Sequence, residues 1–128
     1  EARRHDFLLC NYANADMVGH TGVLPAVIRA VETVDECLGR VLQSAEKVGS
    51  HVLITADHGN CEMMIDPTTG GVHTAQTLNP VPLVVTLEVD DATLQDGGAL
   101  ADLIPTCLWL LGLPPAEGMT GRNLIRLR

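Results

Sequence analysis

Between Leu24 and Val48 the apolar residues Val27, Ile28, Val31, Val34, Leu38, Val41, Leu42, Ala45 and Val48 recur three and four apart. Arg29, Glu32, Glu36, Arg40, Gln43, Glu46 and Lys47 take the other side. That stripe is the signature of an amphipathic helix. Pro25 is acceptable in the first turn, where a missing N–H has no partner to lose, and Gly49 suits the C-terminal cap. A helix is therefore expected from about Val23 to Val48.

Its neighbours read as strands. "HDFLLC", His5 to Cys10, is an apolar run bounded by polar groups, and "HVLITA", His51 to Ala56, is rich in β-branched residues. Strand, helix, strand is the βαβ unit, with parallel strands and a right-handed crossover. The expected class is α/β. "VPLVVTL", Val81 to Leu87, reads as a third strand, and "DDATLQDGG" as a loop. A second helix is expected over Ala99 to Leu111, with Asp102 as a possible cap, Pro105 in its first turn and Gly112 as its stop. Between Gly59 and Pro80 lies an excursion with a turn at "DPTTGG" and a hairpin arm at Glu62 to Ile65. The tail "MTGRNLIRLR" supports no assignment, and there is no internal repeat.

The chain's 128 residues, 46% of them hydrophobic, are one domain's worth of material. Sixteen Asp and Glu against eight Lys and Arg give a formal net charge of -8, and Phe, Trp and Tyr occur once each. Nucleic-acid binding wants basic patches and stacking rings, so that class is set aside. No apolar run is long enough for a membrane span, and no leader follows Glu1. Cys10, Cys37, Cys61 and Cys107 are scattered without a CxxC pair, which fits reduced thiols.

In α/β sheets the ligand site lies beyond the carboxyl ends of the strands. The first expected strand feeds into "NYANADMVGHTG" and the second into "DHGN". Asp16 and His20, four apart, can meet on one side of a helical turn or be folded together by a loop containing Gly19 and Gly22. Asp57 and His58 are adjacent, and His73 follows "TGG" on a loop long enough to fold back. Each has a local explanation: Asp16 as a helix cap, Asp57 and His58 as a turn. Together they are a donor set for hard or borderline divalent cations. In an acidic protein two such cations would reverse the local sign for an anionic substrate and polarise a phosphoryl oxygen. His5 and His51 fall at the amino ends of strands, His51 roughly 20 Å from His58, and read as surface histidines. The motifs hold no basic residue and no obvious nucleophile: Ser44 falls on the polar half of the long helix, Ser50 precedes a strand at the wrong end of the sheet, and Thr21, Thr55 and Thr74 read as packing or hydrogen-bonding groups.

"NYANADMVGHTG", "LITADHGNCEMMIDPTTGGVHTAQTLNPVP" and "GALADLIPTCLWLLGLPPAEGMTG" resemble the carboxyl-terminal segment of the 2,3-bisphosphoglycerate-independent phosphoglycerate mutases, in the alkaline phosphatase superfamily. The resemblance spans essentially the whole chain, and the extended first motif is its most specific part. It implies a three-layer, alkaline-phosphatase-like α/β fold: a mostly parallel sheet with flanking helices, present as a partial domain. Residues 1–128 would be the carboxyl-terminal part of the metal-binding domain, with its amino-terminal part and an inserted transferase domain absent. It implies two divalent ions, Mn2+ first, with Mg2+, Zn2+ or Co2+ as alternatives. Asp16, His20 and His73 would bind one, and Asp57 and His58 the other, together with an Asp and a Ser from the absent part. The implied reaction interconverts 3-phosphoglycerate and 2-phosphoglycerate through a phosphoserine, in glycolysis and gluconeogenesis, in the cytoplasm. The implied partners are those substrates and the remainder of the same polypeptide, with no nucleic acid and no membrane. With no serine nucleophile, no catalytic residue is expected in this segment, and alone it should be inactive. A metal-dependent phosphatase or phosphodiesterase of the same superfamily, and a non-catalytic metal-binding or interaction module, are the alternatives.

Overall fold

The computed structural model describes residues 4–87 and 92–127. The chain divides into two compact units: Leu8–Val84, and Glu1–Phe7 together with Val85–Arg128.

In the unit Leu8–Val84, the motif expected as a helical turn or a loop contains a short helix, α1 (Asn14–Gly19). It ends at Gly19, and three residues on Gly22 adopts φ +68, a value that strains any residue with a Cβ. The long stripe forms α2 (Leu24–Lys47), within a residue of the predicted bounds. Pro25 lies in its first turn, and Lys47 in the last turn faces the negative end of the helix dipole. At the far end Gly49 turns left-handed at φ +63, and Gly49 and Ser50 donate N–H to the carbonyls of Glu46 and Ala45 at 3.1 and 2.9 Å. α1 packs on α2, and Val27 is buried at 3% exposure.

The strand β1 (Leu53–Thr55) follows and pairs with β2 (Leu83–Val85), the two forming a two-stranded sheet. Both are shorter than the apolar runs that announced them. Between them the excursion makes a hairpin at its predicted turn. Ile65 bridges Val72, Asp66 N–H donates to the Gly71 carbonyl at 2.9 Å, and His73 N–H donates to the Met64 carbonyl at 3.0 Å. The Asp66 carboxylate accepts N–H bonds from Thr68 and Thr69 at the tip, which hold it below the usual carboxylate range.

Two expectations are corrected here. Residues 5–10 form no strand: Phe7, Leu8 and Leu9 are exposed, and no described segment pairs with them. A strand exists only through a neighbour's hydrogen bonds, so an apolar run without one stays irregular. The βαβ unit built on it is accordingly absent, and among the described residues the only sheets are two-stranded.

The second correction lies in the other unit, which contains β3 (Ala92–Leu94), inside the stretch expected to be a loop. It pairs antiparallel with β4 (Ile125–Leu127), part of the unassigned tail, in the register Thr93 to Arg126. Asp90 and Asp91 of that expected loop lie outside the described residues. A 3-10 turn, Leu100–Asp102, leads into α3 (Leu103–Leu110), with Pro105 in its first turn and Gly112 at φ +69 beyond its end. Asp102 fastens this unit: Oδ2 accepts Ala99 N–H and Oδ1 accepts Arg122 N–H, at 2.8 and 2.7 Å. Thr106, fully buried, donates to the Asp102 carbonyl and accepts Leu124 N–H. Leu124 and Ile125 are the buried apolar pair of this unit.

Candidate metal centre

The candidate site lies wholly in Leu8–Val84. Because α1 is helical, Asp16 and His20 stand one turn apart on the same side, and His20 Nε2 comes within 3.2 Å of Asp16 Oδ1. The turn after β1 brings His58 to the same oxygen, with Nε2 at 4.0 Å, and His58 Nε2 is also 3.6 Å from Asp57 Oδ1. Asn60 Nδ2 and Gln76 Nε2 donate to Asp16 Oδ1 at 3.3 and 3.4 Å. One carboxylate oxygen is thus the node of four nitrogens.

Two close approaches make this possible. A Cβ on Gly19 would collide with the Asn60 side chain, so only glycine lets α1 and the "DHGN" turn touch there. A Cβ on Gly22 would run into Val72, so a second glycine admits the segment carrying His73. Cys61 Sγ donates to the Ala15 carbonyl at 2.9 Å, tying the two motifs together, and burial pushes its thiol pKa up.

His20 Nδ1 lies 2.7 Å from the Thr74 carbonyl. A carbonyl only accepts, so Nδ1 carries the hydrogen. In the neutral ring Nε2 then presents a lone pair to the Asp16 carboxylate 3.2 Å away. Two acceptors face each other, and the arrangement is favourable only with a cation between them, a proton or a metal ion. Ligands bound to one ion at about 2.1 Å stand roughly 3 Å apart, the separation these two atoms have. Imidazole N–H to carbonyl is also the usual support behind a metal-binding histidine.

His73, one residue before Thr74, has its Nδ1 buried with no hydrogen-bond partner. Such orphaned buried groups are rare and ask for an occupant. Asp57 is exposed and His58 part-buried, its Nδ1 near the Gly59 carbonyl at 3.4 Å. Among the described residues, no three or more His, Cys, Asp and Glu side chains stand close enough together to hold an ion as they are. The donor chemistry and the Asp16–His20 pair nonetheless fit a hard or borderline divalent cation. Beside them opens a cavity of about 260 Å3, lined in part by Tyr12, Asp16, Asp57, His58, Cys61 and Pro82.

Sequence reasoning missed Asn60, Gln76 and Thr74. Asn60 was within reach, being part of "DHGN"; Gln76 and the Thr74 carbonyl carry no local signal, because only the folded excursion brings them to Asp16 and His20. His5 and His51 are exposed.

A fold of mixed helix and strand with a carboxylate–imidazole cluster after a strand defines a class, and comparison gives it a name. A profile of the metalloenzyme superfamily matches residues 1–115, and the chain belongs to that superfamily. Among individual proteins it is similar to 2,3-bisphosphoglycerate-independent phosphoglycerate mutases. It is 60% identical over 121 residues to that of Roseobacter denitrificans, covering 94% of this chain and 24% of the relative. It is 56% identical over 125 residues to that of Rhodopseudomonas palustris, covering 98% and 24%. For Herpetosiphon aurantiacus the figures are 52% over 130 residues, 97% and 24%. The chain therefore spans 24% of the length of these curated relatives.

Proposed function

We propose that the chain is the carboxyl-terminal, metal-binding part of a cofactor-independent phosphoglycerate mutase, the enzyme interconverting 3-phosphoglycerate and 2-phosphoglycerate in the cytoplasm. The observation that carries this reading is His20 Nε2 standing 3.2 Å from Asp16 Oδ1, close enough to share one ion, in a chain 60% identical to a segment of such a mutase.

In this reading Asp16, His20 and His73 hold one divalent ion, and Asp57 and His58 hold the other with donors from the remainder of the polypeptide; Mn2+ is the metal proposed. Bound there, the ions would supply charge for the phosphoryl oxygens and lower the pKa of a hydroxyl nucleophile. The chain's own residues do the rest of the positioning. Thr74 orients the His20 ring through Nδ1. Asn60 and Gln76 steady the Asp16 carboxylate. The cavity beside Asp57 and His58 offers room where the missing donors and a phosphoryl group would meet. The remainder of the polypeptide would also complete a parallel sheet next to β1 and β2 and cover the exposed residues Phe7 to Leu9.

The test replaces the corresponding segment of the Roseobacter denitrificans relative by these 128 residues. The chimera is expected to interconvert the two phosphoglycerates with Mn2+, and His20→Ala in it to lower kcat/KM by about 100-fold or more. The isolated chain with saturating Mn2+ is expected to show no turnover. Turnover by the isolated chain, or a folded chimera that only releases inorganic phosphate from phosphate esters, contradicts the proposal; the second outcome points to a phosphatase.

A further inference from the structure

We propose that Glu62 is a positioning residue for the metal centre: it fastens the loop that carries His73 to the turn that carries His58. This rests on the reading of Asp16, His20, Asp57, His58 and His73 as metal ligands.

Glu62 Oε1 accepts the Thr77 hydroxyl hydrogen and, at 2.9 Å, Asn79 Nδ2. Thr77 N–H in turn donates to the Gly59 carbonyl at 2.8 Å, within an isolated bridge between those residues, and Asn79 N–H reaches Thr77 Oγ1 at 3.3 Å. These bonds close a neck. His58 precedes it directly, and His73 lies on the loop beyond it. The neck is tight enough that a Cβ on Gly59 would collide with Thr77 and Glu62, so glycine is required beside His58.

The register of the returning segment shows which interaction prevails. Thr77 and Asn79 both serve Glu62, and Leu78 between them is left fully exposed at 105% while Thr77 is buried at 7%. A hydrophobic preference alone would choose the opposite arrangement. The bonds from Thr77 and then Asn79 hold the Glu62 carboxyl below its ordinary range, so it remains an acceptor at neutral pH. Its effect on the candidate metal ligands runs through Thr77, Gly59 and the loop neck.

The hairpin inside the loop has its own bonds, from His73 N–H to Met64 and Asp66 N–H to Gly71. Releasing the neck should therefore let the hairpin swing as a unit without unravelling, an outcome distinct from general unfolding. The 128-residue chain and its Glu62→Ala and Glu62→Gln variants are compared by amide hydrogen exchange and by Mn2+ binding, read from the electron paramagnetic resonance of the free aqua ion. In Glu62→Ala, protection of the Thr77 amide is expected to fall about 10-fold while those of His73 and the α2 interior hold, and Mn2+ affinity is expected to fall about 10-fold or more. Glu62→Gln places an amide oxygen where Oε1 stood and is expected to restore both within about threefold. If the parent chain binds Mn2+ and Glu62→Ala binds it equally well, or if Thr77 protection is unchanged, the positioning role is overturned. Failure of the parent chain itself to bind Mn2+ is a different result: it removes the metal-ligand reading, and the role of Glu62 with it.

Discussion

His20 is held from two sides, with Nδ1 donating to the Thr74 carbonyl and Nε2 facing the Asp16 carboxylate. The first contact puts a hydrogen on Nδ1 and leaves Nε2 to meet Asp16 through a shared proton or a shared metal ion. A comparable economy operates at Asp102, whose two oxygens each accept a backbone N–H, from Arg122 and Ala99. Those bonds, the one from Arg122 first, lower its pKa from the ordinary 3.8. The unfolded chain then takes up the proton before the native state does. Stability from Asp102 is fully present above the ordinary value and is lost as pH falls through the lowered one. Glu62, lowered from 4.5, and Asp66 act in the same sense. Urea midpoints measured between about pH 5 and pH 2 should therefore decline toward acid, and Asp102→Asn should start lower and decline less steeply. An unchanged acid limb in that variant would show that Asp102 is not a source of it.

At the scale of elements, what was legible in the sequence was what local interactions decide. α2 runs within a residue of its expected span because its stripe, Pro25 and Gly49 all act inside the helix or at its ends. The pair Asp16 and His20 was legible for the same reason: a spacing of four is a local fact. "HDFLLC" was misread because a strand depends on a partner elsewhere, and β3 and β4 were missed because three residues each leave no period to count. Gln76 reached the site only through the folded excursion. Packing separates equally apolar residues in the same way. Leu124, buried at 2% against Gly98, and Ile28, half exposed on α2, look alike in the sequence. Leu124→Ala should cost about 3 kcal/mol and Ile28→Ala less than about 1 kcal/mol by urea denaturation. Equal costs would mean that the core of the second unit is not where Leu124 sits.

For the whole molecule, the balance of charge and surface agrees with the site. A chain of net charge -8 attracts an anion poorly unless cations reverse the sign locally, and the proposal places such a cation at the Asp16 node. Ile28, Val31 and Val41 on α2 are exposed apolar residues, and the chain spans 24% of its relatives' length. Among the described residues no helix is long and apolar enough to cross a membrane. The most direct measurement of the central claim is anomalous diffraction from crystals of the chain soaked in Mn2+. A peak about 2.1 Å from both His20 Nε2 and an Asp16 oxygen, with His73 turned toward it, is the result expected. A folded chain with no peak at Asp16, or with the ion bound away from these histidines, would contradict the account.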